Sequence, residues 1–249
     1  DDCARLIING DTVYEYWKPR ARVWKGNYKL KANMGEKYHI VVEYLQNTDM
    51  AVINFDINHR AVSNVNDVIA QANNADVVVF VGGISPYLEG EEMKVSEPGF
   101  NGGDRTDIEL PQPQRDVITA LHNAGKKVVF VNCSGGAVGL EPESNNADAI
   151  LQAWYPGEQG GKAVADVLFG DVNPSGKLPV TFYRNVSQLP DFLDYKMKGR
   201  TYRYFKGSPL FPFGYGLGYS LFSFGKPKYD KSKLYVDVAN NGKYDGDEI

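Results

Sequence analysis

Apolar runs short enough to be buried strands alternate with amphipathic stretches through the middle of this chain, and that alternation constrains the fold more than any other feature. Val77-Val78-Val79-Phe80-Val81-Gly82-Gly83 reads as a buried strand. A helical pattern follows over 111–123, with Val117, Ile118 and Leu121 at helical spacing and Gly125 to stop it. Lys127-Val128-Val129-Phe130-Val131-Asn132 is the next strand and Ala149-Ile150-Leu151-Gln152-Ala153-Trp154 the third; 160–169, rich in alanine and valine, is the helix after it. Ahead of the first strand, Val65, Val68, Ile69 and Ala72 share a helical face whose start Asn64 or Asn66 can cap. Strands alternating with helices of this length imply right-handed crossovers and an α/β fold, a mostly parallel sheet sandwiched by helices.

The flanks differ. Up to residue 57 the pattern is that of an antiparallel β segment: Arg5-Leu6-Ile7-Ile8-Asn9-Gly10-Asp11 and Tyr38-His39-Ile40-Val41-Val42-Glu43-Tyr44 alternate, with turn residues at 9–11 and 34–36. After Gly170 the chain becomes rich in tyrosine and glycine through 224, as in an ordered loop and strand system packed by its aromatics. The stretch 233–242 alternates as one strand and ends in a turn. Three segments are therefore expected, 1–57, 58–224 and 225–249. Asp1-Asp2-Cys3-Ala4-Arg5 forms no signal peptide, and one strand with a turn cannot fold alone, so both ends read as cuts.

Composition removes several classes of partner. A net charge of -4, with no cluster of lysines or arginines, leaves no electrostatic footprint for nucleic acid or a membrane surface. No apolar run approaches the length of a membrane span. His39, His59 and His122 have no paired spacing, so no metal is expected. Cys133, at the end of a strand pattern, fits a reduced core thiol, and two cysteines leave the compartment open.

Carboxylates gather after the first strand. Leu88-Glu89-Gly90-Glu91-Glu92-Met93 is followed by Gly102-Gly103-Asp104-Arg105 and Ile108-Glu109-Leu110-Pro111. Ligands of open α/β sheets collect beyond the carboxyl ends of the strands, so glutamates at that place invite a catalytic reading. Taken alone, the same glutamates also fit a solvated loop. Asp104-Arg105 fits an ion pair that pins the loop to the start of the following helix. Cys133-Ser134-Gly135-Gly136-Ala137-Val138-Gly139 also follows a strand, but its spacing is not G-x-G-x-x-G, and Asn132 stands where a G-x-S-x-G elbow needs glycine; no cofactor is expected. Trp154 and Tyr155 end a strand on the same side of the sheet as Glu89, as a sugar-stacking wall or, the favoured role, as packing under Pro156. Phe211, Phe213, Tyr215 and Tyr219, spaced by glycines, read as packing.

Four ordered motifs resemble the C-terminal part of glycoside hydrolase family 3, the β-glucosidases, β-xylosidases and related exo-acting enzymes. They are Glu89-Gly90-Glu91 with Asp104-Arg105 and Leu110-Pro111; Trp154-Tyr155-Pro156-Gly157-Glu158-Gln159-Gly160-Gly161; Gly170-Asp171-Val172-Asn173-Pro174-Ser175-Gly176-Lys177-Leu178-Pro179; and Phe211-Pro212-Phe213-Gly214-Tyr215-Gly216-Leu217-Gly218-Tyr219. The resemblance implies that 58–224 is the family's α/β sandwich domain. It makes 1–57 the tail of an inserted, protective-antigen-like β-sandwich of sugar-binding type, and 225–249 the start of a fibronectin type III-like domain.

It also implies a retaining hydrolysis of non-reducing terminal β-linked sugars, with an aspartate nucleophile on a preceding (β/α)8 barrel and the acid/base glutamate on this domain. By its spacing from Gly82, Glu89 is the first choice for that glutamate, Glu91 the second and Glu92 the third, because 93–101 reads as an insertion. Such an acid near neutral pH needs its proton held by burial or by neighbouring negative charge, which Glu91, Glu92 and the barrel aspartate would supply. Tyr87 and Trp154 are candidates for contact with the sugar. The implied partners are a β-linked oligosaccharide or glycoside and the barrel domain; secretion or a periplasmic site suits a polysaccharide degrader. A β-xylosidase is favoured over a β-glucosidase from the loop's resemblance to xylosidase-type members. The competing readings are a non-catalytic carbohydrate-binding or scaffold module and a nucleotide-binding Rossmann protein, against which the glycine spacing argues.

Overall fold

The computed structural model describes residues 3–18, 26–46, 51–58 and 64–249, which fall into two compact units, Asp1–Val62 and Ser63–Ile249. The first unit is an antiparallel sheet ordered β2-β1-β3, built from β1 (Cys3–Ile8), β2 (Asp11–Tyr16) and β3 (Ile40–Leu45). Asn9 and Gly10 make the two-residue turn between β1 and β2, whose register pairs Ile8 with Asp11. Arg5 lies opposite Glu15 on one neighbour and Glu43 on the other, and its guanidinium bonds both, at 2.7 and 3.0 Å. Cross-strand pairing of this kind sets register as well as contributing energy.

The second unit holds the α/β architecture. Its first helix, α1 (Val65–Gln71), starts at Asn64 and not Asn66. Asp67 N–H donates to the Asn64 side chain and Asn64 N–H to the Asp67 carboxylate, a complete capping box. Then come β4 (Val77–Gly83), the single turn α2 (Pro86–Glu89), a small antiparallel sheet of β5 (Ser96–Glu97), β6 (Phe100–Asn101) and β7 (Asp104–Arg105), and α3 (Gln112–Asn123). After these follow β8 (Lys127–Cys133), α4 (Glu141–Asn146), β9 (Ala149–Gln152) and α5 (Gly160–Phe169). The strands β4, β8 and β9 form one parallel sheet in that order, with Val77 opposite Lys127 and Val129 opposite Ala149.

Residues alternate across a strand, and β4 shows it plainly. Val78 and Phe80 face the core beneath α3, where Phe80 meets Phe130 at 5.8 Å, while Val77, Val79 and Val81 are exposed. Ile118, Leu121, Val128, Phe130, Val138, Leu140 and Phe182 are the buried centre.

Two expected strands end differently. β9 stops at Gln152, because Trp154 takes a left-handed backbone (φ 56) that no strand accommodates, and its ring drops edge-on against Phe182 at 6.0 Å. The stretch 233–242 is not one strand but two, β12 (Lys233–Tyr235) and β13 (Val238–Asn240). The first closes a hairpin on β11 (Lys228–Asp230) and the second pairs β10 (Phe222–Phe224). Hydrogen bonding divides them: Asp237 between the two strands turns its carbonyl to Gly225 N–H at 2.7 Å. Between α5 and β10 the aromatics pack in sequence, as expected of that segment. Phe182 packs on Phe211, Phe211 stacks on Tyr215, and Tyr183 stands edge-on to Phe205.

Gly83 ends β4 at the carboxyl edge of the sheet. Its φ of 126° is a conformation that side chains disfavour, and a Cβ there would be driven into the Cys133 carbonyl of β8. Gly83→Ala is therefore expected to cost about 2–4 kcal/mol of stability, combining backbone strain with overpacking. Urea unfolding of the two proteins checks this; equal midpoints would refute it.

Candidate active site

The tips of the three parallel strands meet at one place. Beyond Gly83, Ile84 donates its N–H to Cys133 O at 2.9 Å, binding the exit of β4 to that of β8. Gln114 of α3 holds Gly83 from the side: its amide oxygen takes the Gly83 N–H and its NH2 group donates to the Gly83 carbonyl, both at 2.7 Å. Ser85 then caps α2 by accepting the Leu88 N–H, Pro86 supplies a helix-ready first position, and Glu89 is the last residue of the turn. The carboxylate is delivered by a turn fixed at both ends.

A second backbone approach secures the loop after it. Gly103, at φ 101, lies so near that a Cβ would stand 2.9 Å from both the Glu92 nitrogen and the Gly90 carbonyl oxygen. Residues 93–101 carry β5 and β6, which continue into β7 as two hairpins, and only glycine lets these press against the glutamate turn.

Around Glu89 the partners come from distant sequence. Tyr155, just past β9, places its hydroxyl 3.0 Å from Glu89 Oε2 and 2.8 Å from Ile84 O. Gly135 leaves space for the ring, since a Cβ there would lie 2.6 Å from Tyr155 Cε2. Burial, then the bond to Glu89, pushes the Tyr155 phenol above its ordinary value. Arg105 on β7 donates to the Ala137 carbonyl at 3.4 Å, while its Nε and Nη2 are buried without a partner among the described residues. Burial pushes this guanidinium below its usual range, opposed by the charges of Glu89, Asp107 and Glu109 and by the Tyr155 phenol.

The expected Asp104–Arg105 ion pair does not form among the described residues. Neighbours in a strand point to opposite faces, so Asp104 on β7 is exposed while Arg105 turns inward toward the charges around Glu89. Glu91 and Glu92 are exposed and share no hydrogen bond with Glu89 among the described residues; Tyr87 is exposed as well, and Trp154 packs on the core. Ser134 is buried and engaged, donating to Gly136 O and accepting from Asn132 and Gln152. His59 lies outside the described residues. No three of His, Cys, Asp and Glu come together as a metal would need, among the described residues. Gln114, Gly135 and the hydroxyl of Tyr155 carried no signal as site residues: their roles depend on crossovers that bring remote strand tips together.

Behind the site sits a charge cluster that the sequence did not announce. Arg115 of α3 bonds Glu143 at 2.8 Å, Glu109 at 3.1 Å and the Gly139 carbonyl at 2.9 Å. Glu143 is almost wholly buried. Burial works against the Arg115 charge, but the Glu143 and Glu109 carboxylates outweigh it and hold the guanidinium above its ordinary value.

Residues 14–219 match the model of the glycosyl hydrolase family 3 C-terminal domain. The chain belongs to that family. It is 51% identical over 226 residues to a xylan 1,4-beta-xylosidase of Xylanibacter ruminicola, covering 88% of this chain and 26% of that protein. It is 40% identical over 202 residues to a periplasmic beta-glucosidase of Salmonella typhimurium, covering 73% of this chain and 25% of that protein. A solved β-glucosidase structure from Erythrobacter marinus superposes with a TM-score of 0.58 at 39% identity, over 72% of this chain and 24% of that one. The chain spans about a quarter of the length of these curated relatives.

Proposed function

We propose that this chain is the acid/base-bearing part of a retaining, exo-acting glycosidase that hydrolyses non-reducing terminal β-linked sugars, with β-xylosides favoured. The observation that carries the reading is the placement of Glu89: a half-buried carboxyl at the tips of parallel strands, with one oxygen bonded by Tyr155 and a buried arginine nearby. Retention requires two carboxyl groups about 5 Å apart. Glu89 is one; the other is an aspartate on a (β/α)8 barrel domain of the same polypeptide. In the first step Glu89 gives its proton to the glycosidic oxygen as the aspartate bonds to the anomeric carbon and the alcohol leaves. In the second Glu89 takes a proton from water, whose oxygen displaces the aspartate.

The domain assignments belong to the same proposal: 1–57 as the tail of an inserted sugar-binding β-sandwich, 58–224 as the family's α/β domain and 225–249 as the start of a fibronectin type III-like domain. Tyr87, exposed beside Glu89 on the same turn, is the better placed of the two aromatic candidates to meet a sugar. The similarity to the Xylanibacter enzyme supports xylose as the terminal sugar, and the Salmonella relative supports glucose as the second reading.

The full-length protein is expected to release xylose from an aryl β-xyloside with retained configuration and to prefer it to the aryl β-glucoside. NMR of the first-formed product and the ratio of kcat/KM values check both. Inversion would overturn the mechanism, preference for the glucoside would overturn the sugar, and absence of turnover would leave a binding module in their place.

A further inference from the structure

The Tyr155 hydroxyl has more neighbours than hydrogens. It carries one hydrogen and two lone pairs. The Ile84 carbonyl 2.8 Å away can only accept, and Glu89 Oε2, 3.0 Å away, competes for the same hydrogen. Glu89 Oε1 has no partner among the described residues. While Glu89 is ionised its carboxylate is a stronger acceptor than a peptide carbonyl, so the single hydrogen is drawn to Oε2. The proton that the carboxylate then takes up goes to the oxygen that no donor occupies.

We propose that Tyr155 is a positioning residue that decides which oxygen of Glu89 carries the acid proton: by donating to Oε2 it leaves the proton on Oε1, the oxygen open to a substrate. This rests on the acid/base role proposed for Glu89. Through the cycle Tyr155 keeps its hydrogen. Oε1 gives its proton to the departing sugar oxygen as the carbon–oxygen bond breaks, and Oε1 recovers one from the attacking water. The carboxyl therefore need not rotate between the two steps, which preserves the near-attack geometry. The charged group facing this pair from a neighbouring element is Arg105 on β7, on which Asp107 and Glu109 of the following segment act in turn.

The test is Tyr155→Phe in the full-length protein, read on two aryl β-glycosides, one with a poor leaving group and one with 2,4-dinitrophenolate, beside Glu89→Gln. The kcat/KM for the poor leaving group is expected to fall roughly tenfold, the value of one hydrogen bond to a charged acceptor, with little loss for dinitrophenolate, which leaves without a proton. Gly135→Ala, which crowds the ring without removing the hydroxyl, should reproduce this split between the two substrates and serves if the phenylalanine variant does not fold. In the Glu89→Gln background, Tyr155→Phe should add no further loss. An equal loss on both substrates would overturn the inference about Tyr155 while leaving Glu89 in place. Full activity of Glu89→Gln on the poor leaving group would instead overturn the role of Glu89, and this inference with it.

Discussion

Glu89→Gln in the full-length protein is expected to lower kcat/KM for an unactivated disaccharide by roughly 10²–10⁴-fold, the span that a positioned general acid contributes. Glutamine keeps the size of the side chain and still accepts from Tyr155, so the turn that carries it, capped by Ser85 and pressed by Gly103, has no reason to shift. What it lacks is the proton. The loss should shrink sharply with dinitrophenyl glycosides in the first step, and the second step, which needs a base, should then limit turnover. Added azide, needing no base, is expected to restore release and to yield the β-glycosyl azide. Glu91 and Glu92 are the comparison. Both are exposed beyond the turn, and a loss as large and as dependent on leaving group at either would move the acid/base role there and overturn the assignment.

Arg115→Ala is expected to cost about 3–5 kcal/mol, a large share of the stability of a domain. The loss is not the attraction itself, since a well-packed apolar replacement of such a pair is often neutral. It comes from stranding Glu143, which is 1% exposed and whose carboxylate oxygens both accept from Arg115. The Gly139 carbonyl loses a donor as well. It follows that Arg115→Met with Glu143→Leu should recover much of the loss, because the wholly buried carboxylate is then gone and only Glu109, a quarter exposed, loses its partner. Denaturant unfolding of the single and double variants decides it: a double variant as unstable as Arg115→Ala would show that the cluster contributes more than the avoidance of a stranded carboxylate.

Glu89 and the Arg115 cluster differ in how far they can be seen from sequence. Strands and helices repeat with local periods, so β4, α3, β8 and α5 are legible one by one, and a run of valines ending in Gly82-Gly83 already points its following loop at the mouth of a sheet. The end of β9 is not legible, because the left-handed turn at Trp154 follows from burying its ring against Phe182, a residue 28 positions on. Asp104-Arg105 misleads for a related reason. Opposite charges side by side suggest a pair, but adjacent strand residues point apart, and only the pairing of β7 with β6 decides that the arginine is the one turned inward.

Local pattern alone was enough for the α/β alternation, for the acidic loop after the first strand and for the motifs of family 3, since each is written in contiguous residues whose spacing has its own physical meaning. The partners of Glu89 are a different matter. Tyr155 lies 66 residues from it, Gly135 packs under that ring and Gln114 reaches back to Gly83. These meetings exist because parallel strands carry all their tips to one edge while long crossovers separate those tips in the chain, and a hydrogen bond is decided by distance in space, which periodicity along a sequence does not encode.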